Sequence, residues 1–308
     1  MSETVLFALE AGLNGLTVGI MYSLVALGFV LIFKASGIFN FAQGALVFFA
    51  GLTFVRFLEM GVNFTLAVLI TTAIIMIFAV LIEMFVLRKL VNQELIILFM
   101  ATIGLNFFIE GLTELVWDSN SHALNIEDKT LGFAVPDAGI DWIWDNIGLG
   151  INQIDVVATI VAILMLIGLT LFFNKTRVGR ALRAVADDHQ AAMSVGIPLQ
   201  TIWAVTWAFA GLIALVAAIF WGSKVGVQFS LSQLALKALP VLIIGGFDSI
   251  AGAVVGGLII GFSENMFEIY AGEFIGGGTT NWFPYALATV FLLFRPQGLF
   301  GLKIIERV

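Results

Sequence analysis

The sequence predicts an all-α protein: a polytopic bundle of about eight or nine transmembrane segments, some short or broken, with one helix outside the membrane. Two observations carry this prediction. Of the 308 residues, 60% are hydrophobic and only 11% are charged, whereas about a quarter of the residues in soluble domains are charged. The apolar residues also form runs long enough to cross a bilayer, which takes about 20 residues. We therefore treat residues 1–308 as a single transmembrane domain.

Six apolar runs have spanning length, and three more are shorter or interrupted. The long runs are 12–33, 64–87, 95–117, 154–173, 199–221 and 250–271. The shorter runs, 41–58, 233–246 and 282–294, are thinner than a straight span or are cut by glycine, proline or charge. Together they predict nine candidate crossings, so the two ends of the chain fall on opposite sides.

Basic residues predict the orientation, because Lys and Arg concentrate in cytoplasmic loops. With nine crossings, ten of the 14 basic residues fall on one side, since only Arg56, Lys129, Lys224 and Lys237 fall toward the other. The N-terminus is therefore expected outside and the C-terminus in the cytoplasm. The predicted external loop 118–153 is acidic. Its Trp142 and Trp144 are expected to anchor at the membrane interface, or alternatively to dock an external partner.

Residues 175–199, KTRVGRALRAVADDHQAAMSVGIPL, are the only long polar, helix-forming segment between strongly apolar spans. Arg180, Ala184, Asp187 and Ala191 recur at i, i+4, i+7 and i+11 and so share one helical face. Pro198 is expected to end the helix. Periodicity leaves two interpretations: a surface that another protein grips, or a cytoplasmic loop that anchors topology by its positive charge.

Polar groups at membrane depth are costly and are therefore functional candidates. Two interpretations stay open for them: hydrogen bonds between helices, or the lining of a solute path. The path candidates are Tyr22, Asn40, Gln43, Asn106, Glu110 and Glu264. GxxxG patterns at Gly15 and Gly19 and at Gly257 and Gly261 predict close helix packing, within the chain or at a dimer seam.

Several activities are excluded by composition and motif. No Gly is followed by Lys, so a Walker A loop is lacking, and neither HExxH nor GxSxG occurs. The chain has no cysteine, and its two histidines, His122 and His189, are far apart in sequence. We therefore expect no ATP hydrolysis, no catalytic residues, no metal and no cofactor bound by this chain.

Four segments carry a family resemblance. They are NGLTVGIMYSLVALGFVLIFKASGIFNFAQG (14–44), GRALRAVADDHQAAMSVGI (179–197), PVLIIGGFDSIAGAVVGGLIIGFSENM (240–266) and FRPQGLFG (294–301). In this order, from about 10 to 302, they resemble branched-chain amino acid ABC transporter permeases of the LivH type. Gln43 stands where that family commonly has His. Gln190 replaces the first Glu of the Glu-Ala-Ala-x-x-x-Gly pattern that 190–196 resembles.

The resemblance implies a permease subunit of an inner-membrane importer that works by alternating access. It implies as partners a second homologous permease, two ATPase subunits that use ATP and Mg²⁺, a periplasmic solute-binding protein and membrane lipid, but no nucleic acid. It makes 175–199 the cytoplasmic segment that couples to the ATPases. The coupling residues it implies are Arg177, Gly179, Arg180, Arg183, Ala184, Asp187, Asp188, Ala191, Ala192 and Gly196.

Three alternatives stay open at this point. The solute could be a related small molecule, such as urea, a short amide or an aromatic acid. The protein could be a self-contained secondary carrier in which Glu110 and Glu264 couple transport to an ion. It could also be a membrane scaffold without transport activity.

Overall fold

The computed structural model describes residues 3–90, 93–124, 153–187 and 189–301, and within these ranges the chain is helical with no β-strand. Most of the predicted external loop therefore lies outside the described residues, including Trp142 and Trp144. The helices are α1 Glu3–Ser36, α2 Gln43–Glu59, α3 Phe64–Phe85, α4 Leu95–Trp117, α5 Gln153–Lys175, α6 Arg177–Asp187, α7 His189–Ser194, α8 Leu199–Val225, α9 Ser230–Lys237, α10 Leu239–Gly245, α11 Ile250–Ile275 and α12 Phe283–Phe294.

The all-α fold prediction is confirmed, because each apolar run coincides with a helix. The six long runs fall in α1, α3, α4, α5, α8 and α11, which are the described helices long and apolar enough to cross a membrane. The three shorter runs fall in α2, in α9 with α10, and in α12. Helices α9 and α10 are separated at Ala238, and Pro240 stands at the start of α10. Proline lacks the N–H that a continuous helix would need there.

Helices α1 and α8 form the centre of the bundle. Helix α1 packs along α11 on one side and α8 on the other, and α8 also packs on α2 and α3. Helix α4 packs mainly on α2, helix α5 on α1 and α6, and helix α10 on α11 and α12. The central helices therefore have protein on several sides.

Glycine brings α1 and α11 into backbone contact. A Cβ on Gly15 would lie 2.8 Å from the carbonyl oxygen of Gly261, and one on Gly19 would overlap the carbonyl oxygen of Gly257. Such contact is possible only where side chains are missing. The GxxxG patterns therefore serve packing within the chain at this seam.

The helix ends gather at two opposite ends of the bundle. One of them we call the opposite end, because it lies across the bundle from the basic end described next. There Lys224 Nζ lies 2.6 Å from Asp155 Oδ1, and this ion pair joins the end of α8 to the start of α5. His122 and Val227 exchange two backbone hydrogen bonds of 3.0 and 2.8 Å at the same end.

The other end, which we call the basic end, lies where α1, α3 and α5 finish and α8 and α11 begin. The indole N–H of Trp203 donates to the carbonyl of Ala35 at 3.2 Å and joins the start of α8 to the end of α1. The N–H of Leu299 donates to the carbonyl of Ile244 at 2.7 Å, so the C-terminal turn packs here as well. Basic residues of this end are Lys34, Arg88, Lys89, Lys175, Arg177, Arg180, Arg183 and Arg295.

Candidate functional site

The polar segment 175–199 forms a tight corner between α5 and α8 at the basic end. The hydroxyl of Thr176 accepts a hydrogen bond of 3.0 Å from the N–H of Gly179, which caps the start of α6. Gly179 is itself buried, and a Cβ there would overlap the carbonyl oxygens of Phe172 and Phe173. Glycine therefore lets α6 turn closely against the end of α5.

Helix α6 is amphipathic in the way its sequence predicts. Leu182 and Val185 are fully buried beneath it, whereas Arg177 and Arg180 are exposed. Arg183 is half-buried and donates from Nη1 to Oδ1 of Asn174 at 2.9 Å. The helix thus rests on an apolar face and presents cations outward.

The predicted face of 175–199 is described only in part. Arg180 and Ala191 are exposed and Ala184 is half-buried. The side chain of Asp187 and all of Asp188 lie outside the described residues, so their predicted roles stay predictions.

Helix α7 ends in a glycine cap. The N–H of Ile197 donates to the carbonyl of Ala192 at 3.1 Å, and the N–H of Gly196 donates to the carbonyl of Met193 at 3.0 Å. Gly196 has a φ of +83°, the left-handed conformation that this Schellman cap requires. Ala192 is buried, whereas Met193 and Val195 are exposed, so apolar side chains project on the same segment as the exposed arginines.

The structure brings two of the path candidates, Tyr22 on α1 and Glu264 on α11, into contact. The hydroxyl of Tyr22 donates to Oε1 of Glu264 at 3.3 Å. From α8, the ring of Trp221 lies 5.0 Å from the ring of Tyr22, and its indole N–H donates to the carbonyl of Met21 at 3.2 Å. These contacts hold Tyr22 in place against Glu264.

Glu264 is buried and incompletely satisfied. Its Oε2 has no hydrogen-bond partner among the described residues. Lys237 on α9 and Tyr285 on α12 are near enough to interact with it electrostatically. Leaving a buried carboxylate oxygen unpaired is costly, so this cluster of α1, α9, α11 and α12 side chains can offer a cationic group of a solute a place to bind.

A second pair of path candidates lies where the chain re-enters the bundle between α1 and α2. Asn40 Oδ1 accepts from the N–H of Ala42 at 3.2 Å, and Gln43 Nε2 donates to the carbonyl of Ala210 at 3.4 Å. The amide of Gln43 fills the space where a side chain on Gly28 would lie. Asn40 Nδ2 and Gln43 Oε1 are buried and lack partners within the described residues.

The remaining path candidates, Asn106 and Glu110, lie on α4. Glu110 is 8% exposed and Asn106 is half-buried. In the described part of the chain Glu110 forms no hydrogen bond or ion pair, and its helix packs mainly on α2. The six candidates therefore form three pairs: Tyr22 with Glu264, Asn40 with Gln43, and Asn106 with Glu110.

Sequence reasoning missed Trp221 and Lys237. Lys237 was counted only as a residue on the predicted outer side, although a lysine that interrupts an apolar run was a signal of a buried charge partner. Trp221 had no distinguishing pattern.

A polar cluster at the opposite end was also missed. His122 Nδ1 lies 2.6 Å from Glu59 Oε1, and His122 Nε2 lies 3.1 Å from Asp118 Oδ1. Arg56 lies 2.7 Å from Glu59 and 3.8 Å from Asp118. The cluster fastens the ends of α2 and α4 together.

The charges in this cluster shift the pKa values of its members. Partial burial tends to lower the pKa of His122, but the hydrogen bonds to Glu59 and Asp118 outweigh burial and raise it. The N–H of Asn120 and the His122 ring lower the pKa of Asp118.

Comparison with known proteins gives consistent matches along the chain. A family model described as branched-chain amino acid transport system / permease component matches residues 12–295. The high-affinity branched-chain amino acid transport system permease protein BraD of Pseudomonas aeruginosa is 30% identical, over 97% of this chain and 98% of BraD. The corresponding permease protein LivH of Escherichia coli is 28% identical over 100% of both chains. A probable LivH of Methanocaldococcus jannaschii is 28% identical over 90% of this chain and 88% of its own.

A solved structure shares the fold. PsaBC from Streptococcus pneumoniae, in complex with Fab, aligns with a TM-score of 0.50 over 91% of this chain and 89% of that chain. Sequence identity is 13%, so this likeness concerns the fold alone.

Proposed function

We propose a function from one premise: the chain belongs to the branched-chain amino acid transport permease family. It is the membrane-spanning permease subunit of an ATP-driven ABC importer, and its solutes are branched-chain, hydrophobic amino acids. The names of BraD and LivH support this solute class.

The observation that carries the ATP-driven mechanism is the surface of α6 and α7. It combines exposed arginines with exposed apolar side chains at the basic end, and arginine beside apolar groups is typical of protein interfaces. Because the sequence has no Walker A loop, the energy has to come from partner subunits. Two ATPase subunits, which bind ATP and Mg²⁺, bind the coupling helices of this chain and of a second permease.

The two ends of the bundle support an orientation in the membrane, and the family supports the remaining partners. The basic end faces the cytoplasm, in line with the positive-inside tendency, so the N-terminus lies outside the inner membrane and the C-terminus inside. A second homologous permease pairs with this chain. A periplasmic solute-binding protein delivers the solute at the opposite end, where residues 118–124 lie.

The solute path runs beside the central helix α1. Tyr22 and Glu264 line it at one depth, and Asn40 and Gln43 line it at the turn between α1 and α2. Both places carry buried polar atoms that lack partners among the described residues. Asn106 and Glu110 line a branch of the path along α4. Closure of the ATPases moves α6 and tilts the attached helices as rigid bodies, which exposes the path to alternate sides.

The test is a transport assay on the full complex, co-expressed and reconstituted in proteoliposomes. We expect Arg180→Ala to lower the uptake per ATP hydrolysed roughly tenfold, because arginine side chains often dominate an interface, while the ATPases still co-purify. Lys89→Ala is the matched control, since Lys89 is also an exposed cation of the basic end. It should leave the ratio unchanged.

Two outcomes would count against the proposal. A normal ratio of uptake to hydrolysis in Arg180→Ala would remove the coupling role of α6. Recovery of the wild-type chain without ATPases, under conditions that preserve comparable complexes, would favour a self-contained secondary carrier that uses Glu110 and Glu264.

A further inference from the structure

A large cleft opens at the basic end between α5 and α6 on one side and α11 on the other. Its volume is about 1410 Å³. Apolar side chains form most of its walls: Leu166 and Phe173 of α5, and Val254 and Val255 of α11. The cleft is therefore chemically suited to hydrocarbon.

Two cations lie on the lining of this apolar cleft. Lys34 at the end of α1 and Arg183 on α6 are both half-buried, and neither forms an ion pair among the residues that the structure describes. Arg183 is hydrogen-bonded to Asn174, which is neutral. Among the described residues of the lining, Asp248 is the single carboxylate, so these residues carry an excess of positive charge.

The cleft extends from the level of these cations into the apolar part of the bundle. Leu166 lies nine residues before the end of α5, Lys175, which corresponds to a depth of about 13 Å at the rise of an α-helix. Thr170 and Ala251, both exposed, mark its mouth. Beside the mouth, α5 exposes Ile163, Leu164 and Ile167, a surface that faces acyl chains in a bilayer.

We propose that this cleft binds an anionic glycerophospholipid. The phosphate binds Lys34 and Arg183, and an acyl chain lies along Leu166 and Phe173 of α5 and Val255 of α11. Basic pockets between membrane helices at the cytoplasmic side bind anionic headgroups by the same chemistry. A zwitterionic lipid would supply less negative charge, and a small soluble anion would leave the apolar walls uncovered.

The bound lipid lies between α6 and the core. Arg183 belongs to the segment that we propose to couple with the ATPases, so an anionic lipid there steadies the position of α6. This consequence rests on the proposed function, whereas the binding site itself does not.

Lipid binding is tested by native mass spectrometry of the full complex in mild detergent, titrated with dioleoylphosphatidylglycerol or dioleoylphosphatidylcholine. We expect the wild type to retain the phosphatidylglycerol preferentially. Lys34→Gln should weaken its apparent affinity about fivefold, as expected for the loss of one cation near a headgroup. Lys89→Gln, at the same end but outside the cleft, should not.

A second pair of variants tests the apolar wall without changing charge. Thr170→Trp places a bulky ring in the mouth of the cleft and should reduce lipid retention, whereas Leu171→Trp, one residue along α5 and also exposed, should not. Equal affinity of Lys34→Gln and Lys89→Gln, or equal retention of both lipids by the wild type, would overturn the proposal.

A protein occupant gives a different result. If Thr170→Cys cross-links to another subunit and the assembled complex carries no phospholipid there, the cleft is a subunit interface and the proposal is wrong. All these measurements need neither ATP nor solute, so their failure is distinguishable from failure of the proposed transport function.

Discussion

Helices α1 and α4 are both long and apolar, but α1 is mostly buried within the protein and α4 is mostly exposed on its surface. Of the most apolar stretch of each helix, 72% of the residues in α1 are buried within the protein, compared with 33% in α4. Gly15 and Gly19 of α1 touch the backbone of α11, whereas Gly104 and Gly111 of α4 have no neighbouring atom within 4 Å of an added Cβ. The consequence of a residue type in this membrane protein therefore depends on where its helix sits in the bundle.

The largest expected effect comes from filling the α1–α11 seam. Gly19→Leu should lower the free energy of unfolding in detergent by about 3 kcal/mol, the upper range for overpacking, because its Cβ overlaps the carbonyl of Gly257. Gly104→Leu, in open space on α4, should leave it unchanged or raise it by up to about 1 kcal/mol, because leucine has a higher helix propensity than glycine. Thermal unfolding of both variants measures the difference.

Equal effects of the two substitutions would contradict the contrast between a central and a peripheral helix. Gly19 and Gly104 occupy comparable positions inside long apolar helices, so helix propensity alone predicts similar outcomes for them.

The sequence was sufficient for the helices but not for their neighbours. Hydropathy predicted the six long helices of the described residues, because the length and apolarity of a span are local properties. Hydropathy did not decide whether the glycines of the seam, such as Gly15 and Gly257, pack within the chain or against a second copy of it. A GxxxG pattern specifies a close approach and not the partner that makes it.

The next contrast compares two buried glutamates. Glu264 faces α1, where Tyr22 donates to it and Lys237 lies near, whereas Glu110 on α4 has no such partner in the described part of the chain. Glu264→Gln should lower solute uptake by the reconstituted complex roughly tenfold, since hydrogen bonds to a buried charge are worth about 1.5–3 kcal/mol. Glu110→Gln should lower it less.

Adding Tyr22→Phe sharpens this comparison. If the hydroxyl acts through Glu264, the double variant Tyr22→Phe, Glu264→Gln should transport no worse than Glu264→Gln alone. Equal loss of uptake in Glu110→Gln and Glu264→Gln would instead mean that the α4 branch carries the solute as much as the place between α1 and α11 does.

The candidate site was predictable residue by residue but not as an arrangement. Tyr22 and Glu264 were each recognisable as polar groups in apolar runs, yet 242 positions separate them and no local pattern joins them. Trp221 was missed for the same reason, whereas Lys237 carried a local signal, a lysine that interrupts an apolar run. Helix α6 was recognisable in advance, because its charge and periodicity are contained within a few turns.

The smallest expected effect concerns the ion pairs that hold the end of α4 against α2 at the opposite end. Instead of a glycine seam, the ends of α2 and α4 share the ion pairs of Arg56, Glu59, Asp118 and His122. The pKa of His122 is raised, so its protonated form stabilises the fold. That stabilisation is complete below the ordinary histidine value of about 6.5 and is lost as the pH rises through the raised pKa. The lowered pKa of Asp118 acts in the acid range, because its contribution is lost only as the pH falls.

Between pH 6 and pH 8.5 the wild type should therefore lose thermal stability relative to His122→Gln. The change should be below about 1 kcal/mol, since Glu59 and Asp118 are partly exposed and solvent screens such pairs. The thermal midpoints of both proteins at the two pH values measure it. Parallel midpoints would mean that the pKa of His122 is the same in the folded and the unfolded protein, and that α4 is held at this end by packing, as α1 is at its seam.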